Sequence, residues 1–295
     1  MTTAPITVTY HITPTGPAPT NIVGATQDHV VTVYPTPLGI YDNRKAEICD
    51  GDNTNIGLDS DVAGSIFTWT VTDPTGGASG AAASGASSLD IGDAITQTLV
   101  NDGTTAFTVI YHIRPTGQGG VNCPGAITDV PVVVHPTPIA NITPTFQEIC
   151  SETSTDIGLN ASVVGSSFTY TVIDPKGTGA VDGIGVIGDR IQQALVNNTQ
   201  TPVDITYVIT PYGPGATACP GPAVTVDVTV LPLPITSDIS GIDTVCEATS
   251  DLVFAVDHTS GSFYEWNVPV SIGSPTFGGT GMDSYAVILT ASSPA

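Results

Sequence analysis

Basic residues are almost missing from this chain: five Lys and Arg stand against 27 Asp and Glu, giving a formal net charge of −22 over 295 residues. So acidic a surface repels a phosphate backbone, and nucleic acid is not an expected partner. Spread over the surface, the same carboxylates keep a strand-rich chain soluble. No run of eighteen apolar residues is present to cross a membrane, and no transmembrane segment is expected. The start, "MTTAPITVTYHI", has no basic stretch followed by an apolar one and does not read as a secretory signal. Cys-x-x-Cys and His-x-x-x-His spacings are missing, which argues against zinc. No Gly-x-Ser-x-Gly elbow and no phosphate-cradling glycine motif occurs, so an enzyme is not expected.

What the sequence does have is a period. "HVVTVYPTP" (His29 to Pro37) returns as "VPVVVHPTP" (Val130 to Pro138) and again as "VDVTVLPLP" (Val226 to Pro234). A second ruler agrees: Cys49 to Cys150 is 101 positions and Cys150 to Cys246 is 96, while Pro14, Pro115 and Pro211 are spaced by the same two intervals. The five-residue difference falls in "TGGASGAAASGASSLD" against "KGTGAVDGIGV", small residues that read as a loop tolerant of length change.

Each period is predicted to be a β-sandwich. Alternating runs such as "FTWTVTD" (Phe67 to Asp73) and "FTYTVID" (Phe168 to Asp174) place aromatics and valines on one face, as half-buried strands require. Many short strands separated by Pro/Gly turns predict an all-β chain of antiparallel sandwiches in series. The segments "IGDAITQTLVN" and "IGDRIQQALVN" read as either a helical turn or a strand. Residues 1–37 are expected to be the closing half of one repeat, 38–138 and 139–234 complete repeats, and 235–295 the opening half of another.

Proline and cysteine punctuate the series. Proline lacks a ladder donor, so Pro35, Pro37, Pro136, Pro138, Pro232 and Pro234 are expected to stop strands and serve as stiff linkers between domains. From Pro37, Pro138 and Pro234 to the next cysteine is 12 residues in every copy, which implies a repeated junction. Bridges are predicted from Cys49 to Cys123 and from Cys150 to Cys219, each tying a first strand to the loop between the last two, with Cys246 unpaired. Such bonds imply an oxidising compartment.

Taken together, the order "C…GSxFTWTVxDP…I…LVN…VxYxIxPTG…CPG…VxVxPTP" resembles the PKD-like, immunoglobulin-fold repeats of very long secreted surface proteins from gliding, type IX-secreting bacteria. The resemblance implies extracellular tandem sandwiches acting as stalks, filaments or adhesins, whose partners are neighbouring repeats, further copies end to end, or a surface glycan or protein. One departure is Ile22, which stands where the later copies have Cys123 and Cys219. Met1 aligns with Asp102, and Ala295 near Thr105, so the chain begins and ends at nearly one phase. Two accounts are open: a window on a longer repeat chain, or a subunit whose opening strands complete the closing hairpin of the next by strand addition. On the second account Cys246 is expected to face Ile22.

Remaining candidates are sparse. "DGDNTN" offers Asp50, Asp52, Asn53 and Asn55 as oxygen ligands for calcium near a junction, beside Asp59 and Asp61, although the next copy reads "SETSTD". No other cofactor is expected. His11 and His112 share a position whose third copy is Val208, which suits strand residues better than a general base. Tyr10, Tyr111 and Tyr207 read as buried strand tyrosines, and Trp69, Tyr170 and Trp266 as core aromatics. "DTV" makes Thr244 a candidate for O-glycosylation, and Asn141, Asn160 and Asn197 match the N-linked triplet. The expectation is a structural segment of a cell-surface fibre; the alternative is an adhesin module for glycan or calcium-bridged surfaces.

Overall fold

A computed structural model describes residues 3–73, 79–84, 88–117, 119, 121–234, 238–244, 252–255 and 284–287. Among them every regular element is a strand, and two units form. The first holds residues 1–138 together with 162–165 and 212–221; the second holds 139–161, 166–211 and 222–295.

The first unit opens with a hairpin, β1 (Ile6–Ile12) against β2 (Gln27–Val33). Its sandwich then comprises β3 (Gly39–Asn43), β4 (Glu47–Cys49), β5 (Ile56–Ser60), β6 (Ile66–Thr72), β7 (Leu89–Asp90), β8 (Ala94–Ile95), β9 (Phe107–Thr116) and β10 (Thr128–His135). One sheet runs β4-β10-β9-β6-β7 and the other β3-β5-β8. Alternation puts Phe107, Val109, Tyr111 and Ile113 of β9 inside, where they meet Phe67, Ile56, Ile95 and Leu99. β4 is the exception to antiparallel pairing: it lies parallel to the end of β10, with Cys49 opposite His135.

The second unit repeats this plan with β11 (Phe146–Cys150), β12 (Thr153–Ser154), β13 (Ile157–Gly158), β14 (Ser167–Ile173), β15 (Gly183–Val186), β16 (Arg190–Ile191), β17 (Ala194–Leu195), β18 (Val203–Tyr212) and β19 (Val224–Leu231). Its five-stranded sheet is β11-β19-β18-β14-β15, and Cys150 sits opposite Leu231 in the parallel pair. The core falls at the same repeat positions: Phe168 for Phe67, Tyr207 for Tyr111, Ile191 for Ile95, Leu195 for Leu99. The counterpart of β3 is reduced to bridges at Ala140 and Thr143. Pro144, where the other copy has Asn43, has no N–H to extend the ladder. Further on, β20 (Leu252–Ala255) pairs with β21 (Ser284–Val287) so that Val253 faces Ala286. Val253 lies seven residues after its cysteine, as Ile56 does after Cys49.

The segments left open between helix and strand are short strand pieces. "IGDAITQTLVN" enters through Gly92 at φ 92° and supplies β8 to β5; "IGDRIQQALVN" enters through Gly188 at φ 94° and supplies β16 and β17. Positive φ suits glycine and breaks a helical turn at its start.

Two polar devices recur inside both sandwiches. Tyr111 and Tyr207 are each 0% exposed and donate from their hydroxyls to Gln97 and Gln193 at 2.9 Å. Buried Asn101 donates to the carbonyls of Thr105 and Val134, and Asn197 to those of Thr201 and Val230. Because its amide is consumed in this way, Asn197 is a core fastener rather than an open sugar acceptor. Burial pushes the tyrosine hydroxyls of 111 and 207 up to about 12. A raised folded-state value favours the neutral phenol, so this contribution to stability is whole below about pH 10 and is lost as pH climbs through about 12. In an alkaline titration, phenolate absorbance from these two residues is expected to rise together with loss of the strand circular dichroism; ionisation with the fold intact would contradict their role.

Candidate functional site: a disulfide joint at the pole of the repeat

A hairpin tip of one geometry occurs three times. Thr15 bridges Val23, Thr116 bridges Pro124, and Tyr212 bridges Pro220. In each tip a glycine N–H donates to the carbonyl of the residue at the cysteine position: Gly16 to Ile22, Gly117 to Cys123, Gly213 to Cys219. The preceding residue takes a positive φ in all three, at Asn21, Asn122 and Ala218. This tight tip presents one side chain, which is cysteine in the two later copies.

Cys219 bonds Cys49, with Cα atoms 5.5 Å apart, and the bond lies inside the first unit because the tip 212–221 belongs to it. The expected pairs Cys49 to Cys123 and Cys150 to Cys219 are therefore corrected: Cys123 and Cys150 carry free thiols. The reason is the parallel first strand. Cys49 lies beside His135 at the end of β10, whereas Cys123 precedes Thr128, the first residue of that strand, seven positions before His135. At about 3.3 Å per residue the strand alone separates its two ends by roughly 23 Å, while a disulfide needs Cα atoms within about 7 Å. Cys246 lies outside the described residues.

The surroundings of the bond are polar and specific. Glu47, two residues before Cys49, accepts from the imidazole Nε2 of His135 and from the hydroxyl of Thr217, each at 3.0 Å. The His135 bond, with Thr217 second, holds the Glu47 carboxyl below its ordinary value. A depressed carboxylate stabilises above its unfolded pKa and ceases to do so as pH falls through the folded one.

The tip that carries Cys123 meets the end of the preceding hairpin without a disulfide. Gly119 faces the ring of Tyr34, as Gly215 faces the ring of His135, and Tyr34 and His135 are one repeat apart. Gly125 lies so close to the Pro37 carbonyl that an added Cβ would come within 2.3 Å. Cys123, Asn122 and Tyr34 line a cavity of about 200 Å³ with Thr3, Ala4 and Pro5. The proline segments follow the ends of β2, β10 and β19, and most of their prolines are packed: Pro37, Pro136, Pro138 and Pro232 are buried, Pro35 is half-buried and Pro234 is exposed. Rigidity here comes from burial as well as from the pyrrolidine ring.

The other candidates do not converge on a site. Asp50 accepts from the N–H of Asn101 and the hydroxyl of Thr137, Asp52 from the N–H of Cys49, and Asn53 from Thr98. These oxygens are spent on closing the loop, and no group of three His, Cys, Asp or Glu able to hold a metal occurs among the described residues. Asp61 likewise caps the N–H of Leu38. His112 stands between Asp129, 2.5 Å from Nδ1, and Thr72, 2.8 Å from Nε2. The order suggests a catalytic triad, but cross-strand register produces it: His112 pairs with Asp129 on one side and Thr70 on the other. The Trp69 indole donates to the Ala82 carbonyl rather than forming a free stacking platform. Trp266 lies outside the described residues, and Thr244 is exposed.

Grooves beside β5 and β13 occupy one repeat position, yet their polar linings differ. Asp42, Arg44 and Asp59 line one, Thr143, Asn160 and Arg190 the other. What recurs is the backbone shape and one aspartate, Asp93 in the first groove and Asp189 in the second.

No curated protein matches the chain. Among solved structures, fibronectin(III)-like modules of Clostridium thermocellum CbhA align over 68% of this chain and 99% of theirs, at 13% identity and a TM-score of 0.33. The chicken CNTN1 FN1–FN3 domains align over 75% of this chain and 77% of theirs, at 9% identity and a TM-score of 0.30. At those scores neither likeness bears on function. The PKD-like domain family matches twice, over residues 46–138 and 147–234, and with most of its length so accounted for the chain belongs to that family as a tandem of β-sandwiches.

Proposed function

We propose that this chain is a structural segment of an extracellular fibre, stalk or filament built from PKD-like sandwiches stapled end to end, and that it is not an enzyme. One observation carries the reading: the Cys49–Cys219 bond joins the first strand of one family-matched segment to a hairpin tip of the next. A covalent link between successive repeats serves an array, since a solitary sandwich gains nothing from it. Such a bond persists in an oxidising space, which supports a cell-surface location. The repeats would run 38–138 and 139–234, with 1–37 and 235–295 as halves of two more. Surface proteins of gliding, type IX-secreting bacteria are the proposed setting.

The test is cryo-EM of the native material prepared without reductant. Strings of domains with a regular axial spacing are expected. Discrete particles with no axial neighbour, combined with glycan-dependent chemical shifts at Trp69, would replace this reading with the adhesin module.

A further inference from the structure

We infer that the groove beside β5 and its counterpart beside β13 are saccharide-binding sites, one in each repeat, in which an arginine and an aspartate hold neighbouring hydroxyl groups of an uncharged sugar. These sites are independent of the end-to-end array. Each groove lies at a glycine, Gly57 of β5 and, one repeat later, Gly158 of β13. A strand residue without a side chain leaves a notch in the sheet face, of about 350 Å³ in the first repeat and 230 Å³ in the second.

The same chemistry reaches both notches by different routes. Only five basic side chains occur in the chain, and two of them, Arg44 and Arg190, line these grooves. They are not repeat counterparts: Thr145 stands one repeat after Arg44, and Ala94 one repeat before Arg190. Arg44 follows β3, whereas Arg190 opens β16 and pairs across the sheet with Gly158. Even so, a Cβ added at Gly57 would come within 3.1 Å of Arg44 Nη2, and one at Gly158 within 3.3 Å of Arg190 Nη1. Each guanidinium is aimed by a carboxylate that accepts from its Nε, Asp42 for Arg44 and Asp156 for Arg190. Asp93 and Asp189, which do correspond, are each fixed through one oxygen by a backbone N–H, that of Asp90 at 3.0 Å and that of Val186 at 2.9 Å. Ile91 and Ile187, half-buried at the grooves, add an apolar surface. A donor fork, a fixed acceptor and an aliphatic patch therefore recur, although the arginine does not recur in sequence.

Charge selects the ligand. A cation is repelled by the guanidinium, and an anion by the carboxylates beside it, in a chain whose formal net charge is −22. An uncharged ligand remains, and it must offer donors to aspartate, acceptors to arginine and C–H surface to isoleucine. Adjacent hydroxyls on a pyranose ring do all three. Arginine serves better here than lysine, since its planar fork meets two oxygens at once. A polysaccharide presents its ring at regular intervals, as the chain presents its groove once per repeat, so weak single sites combine through multivalency.

The test titrates the full-length, isotope-labelled chain with neutral trisaccharides of glucose, galactose, mannose and N-acetylglucosamine, followed by NMR. At least one of them is expected to move the Nε–H signals of Arg44 and Arg190 and the methyl signals of Ile91 and Ile187, and the matching polysaccharide should bind about 100-fold more tightly than the trisaccharide. Arg44→Lys should abolish the response at Ile91 and leave that at Ile187; Arg190→Lys should do the reverse, each with its strand circular dichroism unchanged. No response to any of the four sugars, a response at Trp69 alone, a groove response that both lysine variants keep, or a stronger response to oligogalacturonate than to neutral sugars would overturn the assignment.

Discussion

Cys49→Ser is expected to lower the stability of the oxidised protein by about 5 kcal/mol, the chain-entropy value for a long closed loop. The bonded residues are 170 apart in sequence, so the constraint on the unfolded chain is large, and the bond spans most of both sandwiches. Calorimetry with and without reductant checks this. The wild type should fall to the melting temperature of the variant when reduced, and the variant should not respond; a wild type indifferent to reductant would mean that the bond contributes nothing. Cys219→Ser should behave identically, whereas Cys123→Ser should leave this transition in place, since Cys123 is a free thiol in the isolated chain.

Phe67→Ala should cost about 3–5 kcal/mol through lost burial and the cavity left behind. The ring is 0% exposed and meets Tyr41 edge-on, with centroids 6.1 Å apart. For a domain whose whole stability is about 5–15 kcal/mol, that removes a large share. Phe168→Ala makes the matching hole in the second core. Because Phe67 and Phe168 belong to separate clusters, each variant is expected to displace a different part of the thermal transition, and the pair should add. One shared transition that moves equally in both variants would mean that the two cores melt as one.

Much of the fold could be read from the residues because the landmarks recur. Phe67 and Phe168, Tyr111 and Tyr207, and Gln97 and Gln193 keep their intervals, and period-two alternation assigns their faces. The disulfide connectivity could not be read the same way. Spacing along the chain measures how far one cysteine is from the next, but not at which pole of the sandwich each emerges. That depends on β4 lying parallel to β10, a pairing that no local pattern of three residues, "EIC", announces. The packing of the proline segments was hidden for a related reason. Pyrrolidine stiffness is visible in sequence, whereas the contact of Pro37 with Gly125 arises only when the hairpin tip folds back. Asp50 and Asp52 resembled calcium ligands because a carboxylate that accepts backbone N–H groups has the same sequence signature as one that waits for an ion.

The Cys49–Cys219 bond also fixes how the chain can be stretched. Tension applied at the two ends passes from β4 through the sulfur pair to the hairpin tip, so the residues between them are excluded from the load path. At roughly 3.5 Å per extended residue, about 600 Å of contour is held in reserve. An array of such segments would be short and stiff while oxidised. With the bond reduced, unfolding of the enclosed sandwiches under load would release that slack, so extensibility would depend on the redox state of the surroundings.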